Sequence, residues 1–96
     1  MNENDLIQKI KKYLSRVPST FFWKEHGGMY GTAGIPDIIC CIKGKFAAFE
    51  VKVPGNKPTA IQASVHQKIR NAGGRVEVVF SVDDVKAVVK EMLEDD

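Results

Sequence analysis

Three charged residues stand where the sequence otherwise predicts a hairpin, and together they could hydrolyse a phosphodiester bond. Asp37 begins one strand-forming run, Glu50 and Lys52 end the next, and a Lys43-Gly44 turn signal separates the runs. A two-residue turn places Asp37 opposite Glu50, with Cβ atoms roughly 5 Å apart, where like charges repel unless something positive lies between them. Because Mg²⁺ prefers carboxylate oxygens, this pairing predicts a metal site.

Lys52 supplies a third group for the same chemistry. It lies two residues beyond Glu50, so the strand period places both side chains on one face. An ammonium beside two metal-binding carboxylates can orient the water that attacks a phosphate. The competing interpretation is an edge hairpin whose charges face water. We favour the site because the intervening residues are apolar and the charges gather at the open end, although a one-residue shift in register would weaken this.

Periodicity and turn signals predict the element order αβββαβα. The predicted helices cover about 3–16, 60–72 and 82–93, the strands about 20–26, 36–42, 45–53 and 75–80, and a glycine-rich loop 27–34. A helix joins the last two strands, which predicts a parallel pair, whereas the first three strands can run antiparallel. The fold class is therefore α/β, with a mixed four-stranded sheet flanked by helices, and the apolar run "DIICCI" indicates a sheet covered on both faces.

Length and composition indicate one globular domain over residues 1–96. The chain has 44% hydrophobic and 27% charged residues, and no run approaches the roughly 18 apolar residues of a membrane span. The N-terminal stretch "MNENDLIQKIKK" is unlike an export signal, so we expect a cytoplasmic protein. Residues 1–80 carry twelve Lys or Arg against six Asp or Glu, and residues 81–96 carry two against six. Such a basic body suits a nucleic-acid partner, although lysines also simply favour solubility.

Other chemistries fit the sequence less well. Cys40 and Cys41 are adjacent, so within a strand they point to opposite faces, and we expect both to be reduced core residues. They lack the CxxC spacing of zinc sites, and His26 and His66 belong to different elements. The glycines of 27–34 precede no helix that could bind a phosphate, which indicates instead a loop that admits substrate.

Four blocks of sequence, in this order, resemble one nuclease family: "GIPD", "EVK", "KPTAIQ" and "NAGGRVEVVFSVDDV". Pro36-Asp37, thirteen residues before Glu50-Val51-Lys52, resembles the PD-(D/E)XK motif. Within that superfamily the blocks resemble the virus-type replication-repair nuclease (VRR-NUC) domain over nearly the whole chain. The resemblance implies a restriction-endonuclease-like αβββαβ(α) core that binds Mg²⁺, with Mn²⁺ as a substitute.

The resemblance also implies residue roles. Asp37 and Glu50 would bind metal, Lys52 would position or activate water, and the backbone carbonyl of Val51 is a further candidate ligand. The resemblance is compatible with either one or two bound metal ions. The same motif makes Asp37, Glu50 and Lys52 the expected catalytic set.

The family pattern adds a glutamate in the first helix and a glutamine after EXK, and this chain offers two choices for each. Glu3 lies on the apolar stripe of its helix, whereas Asp5 lies on the charged face. Gln62 borders the expected stripe of the second helix, whereas Gln67 lies nearly opposite it. We therefore interpret Glu3 as a metal ligand and Gln62 as a supporting catalytic residue. The expected stripe consists of Ile61, Val65, Ile69 and Ala72.

Basic residues near the site are predicted to contact DNA phosphates rather than bases, so recognition should depend on shape and salt. These residues are Lys24, Lys43, Lys45, Lys57 and Lys68. Tyr30, among glycines, is a candidate for stacking on a base, whereas Trp23 in an aromatic strand is expected in the core.

Stand-alone members of the resembled family act as homodimers that cut four-way (Holliday) junctions, which implies a structure-selective endonuclease of DNA repair. One site cuts one strand at a time, and the aromatic segment 21–23, "FFW", could supply a dimer surface. A nicking monomer and a non-catalytic DNA-binding or assembly module are the alternatives. If the gene is phage-encoded, the expected location is the cytoplasm of the bacterial host.

Overall fold

The computed structural model describes residues 1–26 and 31–95, and it confirms the predicted order of elements. The helices are α1 (Glu3–Leu14), α2 (Ala60–Asn71) and α3 (Val82–Glu94), and the strands are β1 (Thr20–Lys24), β2 (Ile38–Ile42), β3 (Lys45–Val51) and β4 (Arg75–Val79). In the part of the chain that is described, none of the helices has the length and apolar character needed to cross a membrane.

Side-chain caps fix where the helices begin. Asn2 accepts a hydrogen bond from the backbone of Asp5 and starts α1. Thr59 and Ser81 cap α2 and α3 in the same way, as the sequence predicted. Each cap satisfies a backbone N–H that the helix itself leaves without a partner.

The four strands form a mixed sheet in the order β1-β2-β3-β4. The first two pairs are antiparallel, and β3 runs parallel to β4, with α2 as the crossover. Between β2 and β3, Lys43 and Gly44 both have positive φ, as a two-residue hairpin turn of type I′ requires. This turn pairs Ile42 with Lys45 and Ile38 with Phe49, so the predicted register is confirmed.

One face of the sheet carries the main core. Side chains of α1 and α3 pack there against alternate residues of β2 and β3 and against Val79 of β4. The most deeply buried of these residues include Ile10, Ile38, Phe49 and Val85. The other face is covered over β3 and β4 by α2, whose Ile69 packs against Ile39, Ala48 and Val76.

On that second face, β1 and the neighbouring part of β2 and β3 stay open to solvent. Phe21 is 68% exposed, Phe46 is 43% exposed, and Cys41 lies between them in the strand register. Trp23 is 46% exposed, two residues from Phe21 on the same face. We call these four residues the apolar band. The expectations that Cys41 and Trp23 lie in the core are therefore wrong, because no helix covers this half of the face; Cys40 is buried as predicted.

Candidate active site

Asp37 and Glu50 meet at the open end of the β2–β3 hairpin. Asp37 lies one residue before β2, and its carbonyl accepts a hydrogen bond of 2.8 Å from the backbone of Glu25, which extends the β1–β2 pairing. Its carboxylate Oδ2 accepts a second bond of 2.8 Å from the backbone N–H of Val51. The acid is thus fixed by its own backbone and by the strand that carries Glu50.

Glu50 is an unusual core residue. Its side chain points from β3 toward α2, and the residue is only 1% exposed. Oε1 lies 3.1 Å from Nε2 of His66, and Oε2 accepts a longer hydrogen bond of 3.4 Å from Nε2 of Gln62. Both carboxyl oxygens therefore have partners on one helix, as a buried polar group requires.

The surroundings of Glu50 favour its protonated form. Burial raises the pKa of Glu50 to about 8, and a hydrogen bond with Asp37 and the charge of Asp37 push the same way. The charge of Glu3 adds to the rise, whereas the ammonium of Lys52 lowers the pKa. Protonation of Glu50 relieves the repulsion between the two carboxylates, and a bound cation would relieve it as well.

The donor set suits a hard divalent cation that keeps part of its water shell. Among the described residues, no group of three or more His, Cys, Asp and Glu side chains converges to hold a metal ion alone. Two adjacent carboxylates, with the backbone carbonyl of Val51 close by in sequence, leave positions for water and phosphate oxygens. Mg²⁺ is usually bound in this way, through one or two carboxylates and its substrate.

Lys52 follows β3 directly and is half-buried. Its backbone N–H donates to the carbonyl of Val79, which continues the parallel pairing with β4. No ion pair found in residues 1–26 and 31–95 uses its ammonium. The ammonium nevertheless lies near enough to lower the pKa of both Glu50 and His66. It is thus available to a water or phosphate beside the two acids.

Glu3 and Asp5 separate as the helical phase predicts. Glu3 is partly buried in the first turn of α1, and its charge acts on Glu50. Asp5 is exposed. The structure therefore brings Glu3 toward the site, and its role as a metal ligand stays a prediction.

Gln62 is held in the site by the start of α2. Its side-chain Oε1 accepts from the backbone of Thr59, while Thr59 accepts from the backbone of Gln62, which makes a capping box. This bond orients the amide so that Nε2 faces Glu50. Gln67 is exposed and donates to Asn71 instead, so the structure brings together Gln62 and not Gln67.

The apolar stripe expected on α2 is rotated from the face that packs on the sheet. Ile61 is 60% exposed and Ala72 is exposed, whereas His66 is the buried residue of this helix. Ile61 lies beside Gly34, where an added Cβ would be 2.8 Å from Cγ2 of Ile61. His66 was missed because a lone histidine carries no site signal; its position four residues after Gln62, on the same helix face, was the only available clue.

The predicted DNA-binding residues lie in two regions. Lys24 ends β1 at the same end of the sheet as Asp37, and its ammonium donates to the carbonyl of Glu25. Lys57, in the loop before α2, and Lys68, on α2, are exposed. Tyr30 lies outside the described residues. Contact of these residues with DNA stays a prediction.

Lys43 and Lys45 lie at the turn of the hairpin, at the opposite end from Asp37 and Glu50. Lys43 donates to the carbonyls of Leu93 and Asp95, and Lys45 forms a 2.8 Å ion pair with Asp95. The expectation that these two lysines lie near the site is therefore wrong. The strand register alone requires this, because the turn and the open end are separated by the length of the strands.

Two solved structures are similar in fold to this chain over most of their length. One, described as "VRR_NUC domain", is 24% identical, with a TM-score of 0.76 over 92% of this chain and 94% of its own. The other, described as "VRR_NUC domain protein", is 18% identical, with a TM-score of 0.80 over 98% of this chain and 89% of its own. The chain has the fold of a VRR_NUC domain. No protein-family model matches the sequence, and no curated protein matches it.

The VRR_NUC fold confirms the resemblance that the four sequence blocks indicated. The structure also confirms the predicted α/β architecture, a mixed four-stranded sheet flanked by helices. In this fold the "PD" and "EVK" blocks, thirteen residues apart in sequence, meet at one end of the sheet. The chain therefore has the architecture of a VRR_NUC domain.

Proposed function

We propose that this chain is a metal-dependent DNA endonuclease. The proposal is carried by the contact between the carboxyl groups of Asp37 and Glu50, the second of them 1% exposed with a pKa raised to about 8. Holding two acids together in a nearly dry site costs stability, so a purely structural role gives little reason for the arrangement. A divalent cation turns the repulsion into attraction.

Each residue then has a role that its surroundings permit. Asp37 and Glu50 would hold Mg²⁺, or Mn²⁺ in its place, with the carbonyl of Val51 as a further ligand. Glu3 would join them as a ligand only after a movement of its side chain, since the three acids do not converge in this structure. The bound cation supplies Lewis-acid chemistry, neutralising phosphate charge and lowering the pKa of a water. Lys52, with no ion pair among the described residues, orients that water. Gln62 orients Glu50 through its amide.

DNA would be bound mainly through its backbone. Lys24 lies at the end of the sheet that carries the two acids, and Lys57 and Lys68 are exposed on neighbouring elements. Such contacts carry no base information, so selectivity would come from the shape of the substrate, with branched DNA and four-way junctions as the proposed targets. Affinity should fall steeply as salt rises.

The direct test is a cleavage assay on linear, flap, splayed and four-way junction DNA, with Mg²⁺, with Mn²⁺ and with EDTA. We expect cuts near the branch point in either metal and none in EDTA. Equal nicking of all substrates would remove junction selectivity but leave the nuclease assignment. No cleavage of any substrate in Mn²⁺ would contradict the assignment.

A DNA-binding or assembly module without catalysis is the second candidate. It is favoured by the lack, among the residues that the structure describes, of a cluster with three metal-ligating side chains. Such a module would bind DNA without cutting it. Loss of DNA binding in EDTA, together with no nicking in Mn²⁺, would support this candidate.

The two helices provide matched pairs of variants. Glu3→Ala and Gln62→Ala should lower the cleavage rate about tenfold or more. Glu3 is a proposed metal ligand, and Gln62 is a hydrogen-bond partner of a ligand, a role that typically contributes this much. Asp5→Ala and Gln67→Ala should change it less than twofold, since both side chains are exposed and away from Glu50. Cleavage rates of the four variants and the wild type, measured on one junction substrate, test this prediction. A larger loss in Asp5→Ala than in Glu3→Ala would contradict the role proposed for Glu3.

We further propose that the chain acts as a homodimer that associates through the apolar band. Phe21, Cys41 and Phe46 form one cross-strand row, and the ring of Trp23 lies 6.1 Å from that of Phe21. Phe21 and Trp23 of the band belong to β1, which is an edge strand among the strands that the structure describes. Two copies related by a twofold axis would cover both bands and present two active sites to the paired strands of a junction.

A charge placed in the band tests the dimer. Light scattering at micromolar concentration should give a dimer for the wild type and a monomer for Phe21→Asp, because a carboxylate buried at the interface is strongly unfavourable. Phe80→Asp is the control, since Phe80 is also exposed, at 41%, but follows β4 at the far side of the sheet. A monomeric wild type, or an unchanged mass in Phe21→Asp, would contradict the proposal.

A further inference from the structure

The buried interior contains a pair of polar side chains that the sequence motifs do not explain. Among the described residues, Glu50 and His66 are the buried polar ones, 1% and 2% exposed. Nε2 of His66 lies 3.1 Å from Oε1 of Glu50. Burying both groups is unfavourable unless each satisfies the other, so their contact is specific rather than incidental.

We infer that His66 is a positioning residue that fixes the carboxylate of Glu50 in the orientation needed to bind a divalent cation. The inference rests on the proposed function and extends it to a residue outside the PD-(D/E)XK motif. His66 acts through Glu50 and contacts neither DNA nor metal in this role. Gln62, one helical turn earlier on α2, helps to orient the same carboxylate.

The geometry explains why both partners are needed. A carboxyl group turns about its last side-chain bond with little resistance, because that torsion has no sharp minima. His66 holds Oε1 and Gln62 holds Oε2, so the plane of the Glu50 carboxyl is fixed at two points. The bond to Gln62 is long, at 3.4 Å, which leaves the shorter bond to His66 as the principal restraint.

The chemistry of the pair assigns the direction of the hydrogen bond. An ionised carboxylate only accepts hydrogen bonds, so the ring that faces metal-binding Glu50 carries its proton on Nε2 and donates. Each oxygen keeps a further lone pair for a cation. Hydrogen-bonded carboxylates of this kind are a general feature of metal sites, where the outer partners orient the ligands.

The test measures Mn²⁺ affinity directly, from the electron paramagnetic resonance signal of free Mn²⁺, with thermal unfolding of the metal-free protein alongside. His66→Leu should bind Mn²⁺ about tenfold to a hundredfold more weakly than the wild type. His66→Gln should recover most of the affinity, because its amide nitrogen reaches the position of Nε2. His66→Asn, equally polar but shorter, should not. Gln67→Leu, on the exposed face of α2, is the control and should bind as the wild type does.

The outcomes separate this inference from the proposed function. A wild type that binds no Mn²⁺ and cuts no DNA would overturn both. A wild type that binds Mn²⁺, with unchanged affinity in folded His66→Leu, would overturn the positioning role alone. If His66→Leu fails to fold, the comparison of His66→Gln with His66→Asn decides: equal affinities would overturn the inference, and tighter binding by His66→Gln would support it.

Discussion

Lys52→Ala should lose DNA cleavage by about a hundredfold to a thousandfold while it still folds and binds Mn²⁺. The ammonium takes part in no ion pair within residues 1–26 and 31–95, so its removal costs the fold little. We propose that the ammonium positions the attacking water. Each tenfold loss of rate corresponds to about 1.4 kcal/mol of lost transition-state stabilisation. Single-turnover cleavage of a junction substrate measures the loss.

Two further variants distinguish loss of metal binding from loss of cleavage alone. Asp37→Asn keeps a side-chain oxygen that can accept from the N–H of Val51, so it removes the charge without removing the backbone contact. It should lose both Mn²⁺ binding and cleavage, whereas Lys52→Ala should lose cleavage alone. Lys90→Ala, an exposed lysine of α3, should cut at the wild-type rate. Wild-type cleavage by Lys52→Ala would disprove the role of the ammonium.

The hairpin could be predicted because its determinants are local. Lys43-Gly44 takes the positive φ values of a tight turn, and that turn fixes the register of every pair from Ile42–Lys45 onward. The meeting of Asp37 with Glu50 follows from that register alone. The caps at Thr59 and Ser81 could be predicted for the same reason, since each side chain accepts a hydrogen bond from a backbone N–H only three residues away.

The orientation of α2 could not be predicted, because it depends on what lies beneath the helix. Ranking residues by hydrophobicity places Ile61 inward and His66 outward, and the structure shows the reverse. Beneath this helix lies the carboxyl group of Glu50, which requires hydrogen-bond partners. A polar requirement therefore outweighs the apolar stripe, and the sequence gives no sign of it until the two elements are brought together.

The exposure of Cys41 and Trp23 has a similar origin. Strand patterns show which residues share a face, and they do so correctly for the row from Phe21 to Phe46. They do not show how far the single helix α2 extends across that face. The helix covers β4 and the neighbouring residues Ile39 and Ala48, so the apolar band on β1, β2 and β3 remains open.

Glu50 also predicts how stability depends on pH when no metal is present. Its pKa is about 8 in the folded protein, against an ordinary value of 4.5, so between these values the folded state holds a proton that the unfolded state has released. Stability from this group is therefore complete below about pH 4.5 and is lost as pH rises through 8. In EDTA, the free energy of unfolding should fall by about 1–2 kcal/mol between pH 7 and 8.5.

The chosen pH window isolates Glu50 from the other shifted groups. Burial lowers the pKa of His66 from 6.5, so its contribution has the opposite sign and lies below pH 7. Burial raises the pKa of Cys40 from 9.0 to about 12, so its contribution begins above the window. Glu50→Gln retains an oxygen that can accept from His66 but has no proton to lose, so urea unfolding followed by circular dichroism should show its stability unchanged from pH 7 to 8.5. An equal pH slope in the wild type and in Glu50→Gln would show that burial and Asp37 do not raise the pKa of Glu50, and the electrostatic argument for a cation between the two acids would then fail.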